Sequence, residues 1–347
     1  MADVTSSRAH VVRVLEVVEE TADARSFIVA ADPEYSSAFE YRPGQFLTVR
    51  VPDIGAGSGR CYSLASSPHS DSAMKFTVKR VAGGHGSNWL CDTVVAGDRL
   101  EVLPPAGNFT PASLDDPVIL VAGGSGITPI IAIAKSILFG GRGDVILVYA
   151  NRDQESVIFA DELRALGDRF GDRFHVIHVL ETVQGYPSRR LLSTLFRPHI
   201  GRSVFICGPA PLMDLTTEVC VAVGYPAKQL HTERFRSLRR DPFAVDAESD
   251  TDEAAGDVVC HVQVSLDGAE HRVPWTAGRT LLDALLAAGV EAPYSCREGA
   301  CSACVCALKS GQVRLANNEI LTEDDLAEGY ILACQAEPVT AEISIEY

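Results

Sequence analysis

The stretch CREGACSACVC, residues 296–306, contains four cysteines, of which three have the spacing Cys296-x4-Cys301-x2-Cys304, and Cys334 follows after 29 intervening residues. The residues between the first three cysteines are mostly small, so backbone N–H groups can come close to the sulfur atoms. In a cytosolic chain of this size, clustered cysteines indicate metal binding rather than disulfides. The stretch therefore predicts a site at which four thiolates converge on a metal centre.

The spacing is that of the thiolate ligands of a plant-type 2Fe–2S cluster, and it assigns Cys296, Cys301, Cys304 and Cys334 to that role. A zinc site and reduced structural thiols are the alternatives. Zinc motifs usually pair one Cys-x2-Cys knuckle with a second, and the sequence contains one. Cys306 lies close enough along the chain to replace Cys304, although only Cys304 fits the spacing.

The length of 347 residues is enough for two or three domains and for the burial of large cofactors. A composition of 46% hydrophobic and 22% charged residues is typical of a globular protein. No stretch approaches the roughly 20 apolar residues that a bilayer span needs. Acidic residues also occur near the N-terminus, where a signal peptide would need an apolar block. We therefore expect a cytoplasmic protein without a membrane partner.

The negative charge is concentrated in the last third of the chain. The formal net charge is −16, and residues 241–347 contain five Lys and Arg against 20 Asp and Glu. This distribution argues against nucleic acid as a partner and predicts a partner protein with a basic docking face. An acidic surface that serves solubility alone is the alternative.

The hydrophobic pattern divides the chain into four segments. Residues 8–112 contain short strands broken by Gly and Pro turns, which predict a small antiparallel β-barrel. In residues 113–237 apolar strands alternate with helical stretches, which predicts an α/β domain with a doubly wound parallel sheet. Residues 238–257 include seven acids and should form a solvated linker, so the modules on either side should fail independently. Residues 258–347 are predicted to form a compact α+β module around the cysteines.

A second motif combines RCYS, residues 60–63, with the glycine-rich turn GGHGSN, residues 83–88. Tyr62 offers a flat apolar face to an aromatic ring system, and Arg60 offers a bidentate fork to a pyrophosphate. The turn presents N–H groups and the Ser87 hydroxyl at a helix N-terminus, where phosphate binds well. Alone, a barrel tyrosine with a surface arginine is more often structural. The combination resembles the FAD-binding barrel of the ferredoxin–NADP reductase superfamily.

A third motif has three parts, VAGGSGITP (121–129), CGP (207–209) and HTERF (231–235). The glycines of the first part leave room for a dinucleotide pyrophosphate at the start of a helix, which Thr128 and Pro129 open. Such a turn by itself suits any phosphate ligand. The three parts in this order resemble the NAD(P)H domain of the same superfamily, in which the CGP turn lies by the nicotinamide and the Glu-x-Phe end lies over the flavin.

The order of barrel, nucleotide domain and cysteine module resembles the reductases of multicomponent oxygenases, and the quoted segments are most similar to the reductase components of 3-ketosteroid 9α-hydroxylases. The resemblance implies FAD, NADH and a 2Fe–2S cluster as cofactors, a β-grasp ferredoxin fold for the last module and a terminal oxygenase, of Rieske type, as partner. No acid–base residue is needed, and Cys61, Ala65 and Ala300 receive no role. The implied FAD ligands are Arg60, Tyr62, Ser63, Lys79, Gly84, Gly86, Ser87 and Phe235, and the implied nicotinamide nucleotide ligands are Gly123, Gly124, Gly126, Thr128, Cys207, Gly208 and Pro209.

Two other functional classes stay open on the sequence. The reductase of a di-iron monooxygenase, such as phenylacetyl-CoA epoxygenase, or of an aromatic-ring hydroxylating dioxygenase would share every motif. The second class is a metal-binding or electron-storage module without turnover. The CGP and Glu-x-Phe elements speak against it, because such a module would lack them.

The ends of two strands of the nucleotide domain favour NADH over NADPH. Neither NRD (151–153) nor LET (180–182) contains the Ser-Arg pair that members of the superfamily use for a 2′-phosphate. Asp153 or Glu181 would instead accept a hydrogen bond from a ribose hydroxyl. Arg152 leaves NADPH as the alternative.

Overall fold

The computed structural model describes residues 9–52, 59–238, 241–243, 258–266 and 268–347. They form an antiparallel barrel, a parallel α/β sheet and an α+β module, in that order, which confirms the predicted fold class. Residues 239–240 and 244–257, most of the predicted linker, lie outside the described part of the chain, as does Asp267. Within the described part, no helix is long and apolar enough to cross a bilayer.

Six strands and one helix make up the barrel. They are β1 (His10–Thr21), β2 (Ala24–Ala31), β3 (Phe46–Arg50), β4 (Gly59–Ser63), β5 (Met74–Lys79), α1 (His85–Thr93) and β6 (Arg99–Ala106). The antiparallel strands lie in the order β4-β3-β6-β1-β2-β5. In β1, Val12 and Val14 are buried while the residues that flank them are exposed, as expected for a strand with one face on the core. A bridge between Leu64 and Phe76 joins the two ends of the sheet and closes the barrel.

The α/β module consists of a five-stranded parallel sheet with helices on both faces. Its elements are β7 (Val118–Gly123), α2 (Ile127–Gly140), β8 (Val145–Asn151), α3 (Ala160–Arg169), β9 (Phe174–Leu180), α4 (Glu181–Gln184), α5 (Arg189–Phe196), β10 (Ser203–Cys207), α6 (Ala210–Val223) and β11 (Leu230–Glu233). The strand order is β11-β10-β7-β8-β9, and β7 is buried along its whole length because it is central. The chain changes direction across the sheet after β9, so the switch point lies at the C-terminal end of β7, where dinucleotides bind in such folds.

The last module has a mixed five-stranded sheet, a two-stranded sheet and two short helices. Its elements are β12 (Val258–Leu266), β13 (Ala269–Thr276), α7 (Leu281–Ala287), β14 (Val305–Ser310), β15 (Val313–Leu315), α8 (Glu323–Ala327), β16 (Tyr330–Leu332), β17 (Ala336–Pro338) and β18 (Glu342–Glu346). The larger sheet has the order β13-β12-β18-β14-β16, and β15 pairs with β17. A capping box between Thr280 and Asp283 begins α7, whose leucines pack with Trp275 in the core.

The barrel and the last module share a packed boundary. Leu103 of β6 and the fully buried Phe243 belong to the same hydrophobic cluster as Trp275. The Arg50 guanidinium lies 4.4 Å from the centre of the Phe243 ring and 3.8 Å from Asp241. The prediction of a solvated linker is therefore wrong at Asp241–Phe243, because one aromatic ring anchors the start of the segment. Because the two modules share this cluster, we now expect them not to fail independently.

Phe243→Ala should destabilise both modules, because the cavity that it leaves lies at their common boundary. A buried Phe→Ala change costs about 3–5 kcal/mol. The chain has two tryptophans, Trp89 in the barrel and Trp275 in the last module, so variants that keep one of them report each module separately. We expect the urea midpoint from each reporter to fall, whereas Val221→Ala on the exposed face of α6 should leave both unchanged. A fall confined to Trp275 would contradict the shared boundary.

Candidate functional site

The four predicted cluster ligands come together in the last module. Cys296, Cys301 and Cys304 lie on the loop between α7 and β14, and Cys334 follows β16. Side-chain contacts join the Cys296 sulfur to those of Cys301 and Cys334, and they lower the pKa of Cys296 and raise that of Cys334. Cys304 also contacts Cys334, and this contact lowers the pKa of Cys304. Four thiols that touch one another within a small volume are the donor set that a two-iron cluster requires.

Backbone donors surround these sulfurs. The N–H of Cys296 donates to Cys301 Sγ at 3.3 Å, that of Glu298 donates to Cys296 Sγ at 3.3 Å, and that of Cys334 donates to Cys304 Sγ at 3.4 Å. The Gln335 side-chain amide lies 3.6 Å from Cys334 Sγ. Such donors stabilise negative charge on sulfur.

The loop is shaped for close approach of the backbone. Gly299 has a φ of 77°, and a Cβ there would lie 2.9 Å from the Gln335 side chain. Ser302 also has a positive φ, 54°, which costs energy in a residue with a side chain. Cys306 points into the core on β14, where burial raises its pKa, so the geometry favours Cys304 as the ligand. Among the described residues, no group of three His, Cys, Asp or Glu has the geometry to hold a single metal ion, so the fit to a cluster rests on the contacts among the four thiols.

All eight residues predicted to bind FAD line one cavity of about 310 Å³. Tyr62 forms part of its wall and stacks on Phe76 with ring centres 5.7 Å apart. The wall at the start of α1 is close to Arg60, because a Cβ on Gly86 would lie 3.0 Å from the Arg60 side chain. Ser87 Oγ accepts a hydrogen bond from the Val81 N–H at 3.1 Å and so holds the glycine-rich turn. The cavity thus offers an aromatic wall beside a phosphate-binding turn.

A second cavity of about 540 Å³ lies at the C-terminal end of β7 and β10. A Cβ on Gly126 would lie 2.2 Å from the Cys207 carbonyl oxygen, and one on Gly123 would lie 2.7 Å from Pro209. Backbone must therefore approach backbone here, as the dinucleotide motif requires. Five of the seven predicted nucleotide residues line this cavity, and they are Gly123, Gly124, Gly126, Gly208 and Pro209.

The other two predicted nucleotide residues lie elsewhere. Thr128 lines the cavity of the FAD residues, and its hydroxyl donates to the Ser125 carbonyl at 3.1 Å. Cys207 is fully buried under the glycine loop, and burial raises the pKa of its thiol. Its backbone, rather than its sulfur, shapes the cavity.

Glu233 is a candidate site residue that the sequence motif contained but did not single out. Its carboxylate accepts a hydrogen bond from the Ser63 hydroxyl at 3.1 Å, and burial raises its pKa to about 8. The carboxyl group can therefore hold a proton near neutral pH, beside the residues that line the FAD cavity. The signal is tertiary, because Ser63 and Glu233 are 170 residues apart.

A third cavity, of about 210 Å³, separates the FAD residues from the cysteine loop. Cys61 and Ser63 line one side of it, and Cys296 and Cys301 line the other. Phe235 and Arg236 line all three cavities. Cys61 and Ala300, which received no role in the sequence analysis, both belong to this junction.

Two polar contacts close the junction. Thr48 Oγ1 and Ser295 Oγ are 2.6 Å apart and buried, and the same threonine lies 3.5 Å from Cys61 Sγ. Arg236 forms an ion pair with Glu319 of the last module. Because Ser295 immediately precedes Cys296, the first contact fixes the start of the cysteine loop against the barrel.

Three family descriptions match three parts of the chain. Residues 11–110 match "Oxidoreductase FAD-binding domain", residues 120–218 match "Oxidoreductase NAD-binding domain" and residues 264–339 match "2Fe-2S iron-sulfur cluster binding domain". These matches confirm the predicted cofactors. They also agree with the order of the three modules in the structure.

Similarity to whole proteins extends over nearly the full length. The ferredoxin reductase component of 3-ketosteroid-9-alpha-monooxygenase from Rhodococcus rhodochrous is 50% identical over 98% of this chain and 97% of its own length. A component of the 1,2-phenylacetyl-CoA epoxidase from Escherichia coli is 31% identical over 97% of both chains, so this alternative is the weaker one. The solved structure of phthalate dioxygenase reductase superposes with a TM-score of 0.58 at 28% identity and covers 98% of both chains.

Cys301→Ser should remove the visible absorbance of the cluster together with its iron and sulfide, because three thiolates and a hydroxyl bind two irons poorly. FAD content and NADH reduction of a flavin-level artificial acceptor should survive. Cys306→Ser is the matched control and should keep iron and sulfide, since its side chain lies in the core. Unchanged iron in the Cys301 variant, or lost iron in the Cys306 variant, would remove this ligand assignment.

Proposed function

The chain belongs to the family of ferredoxin reductase components of 3-ketosteroid-9-alpha-monooxygenases, and on that premise we propose that it delivers electrons from NADH to the terminal oxygenase of such a system. The observation that carries the proposal is the continuity of the three cavities. Phe235 and Arg236 line all of them, so nucleotide, flavin and cluster would lie in sequence around one short segment. A module for electron storage alone has no need of the two nucleotide cavities.

The chemistry of the bound groups explains the order of the modules. When bound, FAD would supply an acceptor for the hydride of NADH that can release electrons singly, and a 2Fe–2S cluster would supply a one-electron carrier. The chain's own residues would bind and orient these groups. Tyr62 and Phe235 would provide the walls for the flavin ring, and Arg60 would hold its pyrophosphate.

Ser63 and Glu233 would hold a proton beside the flavin, in the cavity that separates the FAD residues from the cysteine loop. With a pKa near 8, the Glu233 carboxyl keeps a proton at neutral pH and avoids a second negative charge in the cavity. The Ser63 hydroxyl fixes the orientation of that carboxyl. The glycines at the end of β7 would bring the dinucleotide backbone close enough to place the nicotinamide over the flavin.

NADH remains the proposed donor. The Asp153 carboxylate accepts a hydrogen bond from the Ser156 N–H at 2.9 Å, which occupies part of its acceptor capacity. The Ser156 side chain, and after it this N–H, lower the Asp153 pKa. Glu181 begins α4 and is exposed, so it is the freer of the two predicted ribose acceptors. Arg152 lies 3.6 Å from Asp23 and forms an exposed ion pair with it. The Arg152 guanidinium is thus directed to this carboxylate rather than to a 2′-phosphate.

We propose that the acidic segment before Cys334 is the surface that binds the partner, and that the partner is a Rieske-type oxygenase with a basic face. Five acids lie in residues 319–328, but two of them have other contacts. Glu319 pairs with Arg236 across the junction, and Asp325 accepts from the Thr322 hydroxyl at 2.7 Å in a capping box. The other three acids are exposed, and two apolar residues near them are 42% and 38% exposed. Exposed acids beside exposed apolar side chains are a composition typical of a docking patch. The acids of this patch are Glu323, Asp324 and Glu328, and its apolar residues are Leu326 and Tyr330.

Reconstitution tests the proposed function. With the oxygenase component of a 3-ketosteroid-9-alpha-monooxygenase, NADH oxidation should be coupled to steroid hydroxylation, whereas the oxygenase of a phenylacetyl-CoA epoxidase should give at most slow turnover. kcat/KM should favour NADH over NADPH by about tenfold or more. The proposed site offers a carboxylate acceptor to the ribose hydroxyl of NADH, and a carboxylate cannot accept from the 2′-phosphate of NADPH. Equal coupling to both oxygenases would refute the proposed partner, and equal values for the two nucleotides would refute the proposed donor.

Electron delivery to the oxygenase should slow by roughly tenfold between 0.1 and 1 M salt, because the Debye length falls from ~10 Å to ~3 Å. Reduction of the cluster by NADH within the chain should change far less. The triple variant Glu323→Gln, Asp324→Asn, Glu328→Gln should show the high-salt rate at low salt while it keeps the Asp325 cap.

Stopped-flow traces of both steps measure these rates. The matched control is Glu337→Gln, Glu342→Gln, Glu346→Gln, which removes the same charge from acids already paired with Arg314, Arg272 and Lys309. If the two triple variants slow delivery equally, the acidic surface acts through net charge and not through a docking patch.

A further inference from the structure

Four ionised side chains meet at the boundary between the barrel and the nucleotide module. Lys135 Nζ lies 2.7 Å from Glu162 and 3.0 Å from Asp71, and Lys75 Nζ lies 2.7 Å from the other oxygen of Glu162. The Lys135 side chain is only 3% exposed. We call these four residues the boundary cluster. Lys75 and Asp71 belong to the barrel segment and Lys135 and Glu162 to the nucleotide module, so two of the three ion pairs cross the boundary.

Each lysine lies on an element that also carries a cofactor residue. Lys135 is in the middle of α2, seven residues after Thr128, or about 10 Å along the helix. Lys75 is on β5, four residues before Lys79, or about 13 Å along the strand. Glu162 bridges the two lysines, so it connects the helix that begins at the nucleotide cavity to the strand that ends at the flavin cavity.

The carboxylates of the boundary cluster are held in place by their surroundings. Asp71 accepts from the Ser67 N–H at 2.7 Å and from the Ser70 hydroxyl at 3.1 Å. Glu162 lies in the first turn of α3. Phe159 is the residue immediately before this helix, and its φ of 62° is rare for a bulky residue. The buried Phe159 ring lies 4.6 Å below Lys75 Nζ. Strained backbone is retained where the surrounding structure requires it.

The charges balance within the cluster. Burial is the strongest single influence and would raise the pKa of Asp71 and Glu162, but the charge of Lys135 acts together with hydrogen bonds, and at Glu162 with the charge of Lys75, so that the pKa of each carboxyl is lowered. Glu20 lies beside the cluster, and burial raises its pKa. A buried hydrogen bond between Ser67 and Ser136, 2.7 Å long, crosses the same boundary.

We infer that the boundary cluster sets the angle at which the nucleotide module packs on the barrel and thereby the approach of the nicotinamide to the flavin. Ion pairs that share a buried lysine are directional, because a small rotation separates Lys135, whose side chain is only 3% exposed, from its carboxylates. Apolar contacts at the same boundary, such as those of Ala24 and Ala65, tolerate such a rotation. Lys135 and Glu162 are thus positioning residues, since neither lines the two cofactor cavities. The inference rests on the proposed transfer from NADH to flavin.

Glu162→Gln is the test, and Asp161→Asn is its control. The two residues are adjacent in the first turn of α3 and lose the same charge, but the Asp161 side chain is 92% exposed and pairs only with Arg164 among its ion-pair partners in the described part of the chain. Lys135→Arg keeps the charge and tests rescue by a conservative change. We expect flavin reduction at saturating NADH to slow by about tenfold in Glu162→Gln, with KM for NADH changed less than about twofold. Asp161→Asn should match the parent, and Lys135→Arg should lie between them.

Hydrogen exchange of the protein without added nucleotide supplies a second readout. Amides of α2 and β5 should exchange at least about fivefold faster in Glu162→Gln and unchanged in Asp161→Asn. Faster exchange with an unchanged reduction rate would show that the cluster serves stability alone and would overturn the inference. Equal effects in the two variants would overturn it as well. Hydrogen exchange is measured without NADH. If the proposed function is wrong, the difference in exchange between the two variants should still be seen, and only the measurement of flavin reduction by NADH would fail.

Discussion

Electrons move between bound groups only when those groups lie close together, so the arrangement depends on the contact that holds the cysteine loop against the barrel. The hydrogen bond between Thr48 and Ser295 is central to that contact. Both hydroxyls are buried, and an unpaired buried hydroxyl costs more than a paired one gains. Thr48 pairs with Cys61 across the neighbouring strands, so the bond connects the strand that carries the flavin motif to the residue before the first cluster cysteine. A shift of the loop would leave both hydroxyls without this partner.

The nucleotide side of the flavin cavity is fixed by a different kind of contact. There, two modules meet through ion pairs, through the Ser63–Glu233 hydrogen bond and through apolar contacts of Ala24, Ala65 and Phe109. On the cluster side, Leu103 and Phe243 join the hydrophobic cluster of the last module. A large hydrophobic boundary resists separation, whereas a boundary of ion pairs mainly selects one orientation. Both sides of the flavin combine apolar and polar contacts, and the buried Lys135 with its carboxylates is the feature by which the nucleotide side differs.

The sequence predicted what depends on neighbours along the chain. The cysteine spacing, the glycine turns and the change from alternating strands to strand–helix repeats are local patterns, and the three modules followed from them. It missed what depends on tertiary contact. Phe243 lies in a segment with seven acids, and the acidic composition of that segment predicted a solvated linker although this one aromatic ring is buried. Glu233 and the boundary cluster have no local signature, because their partners lie 27 to 170 residues away.

The acidic excess of the last module divides between inner and outer contacts. Glu319 faces inward and pairs with Arg236, a residue that lines all three cavities, so part of the negative charge holds the module on its own electron donor. Asp283 likewise pairs with Arg297, the residue after Cys296, and keeps that cation beside the cysteine loop. Glu323, Asp324 and Glu328 face outward. A module that must contact a donor and an acceptor cannot use one set of charges for both, since charges paired inside cannot steer a partner outside. The total of −16 therefore overstates the charge available for docking, and the exposed acids of α8 and its C-terminal end are the fraction that a partner would meet.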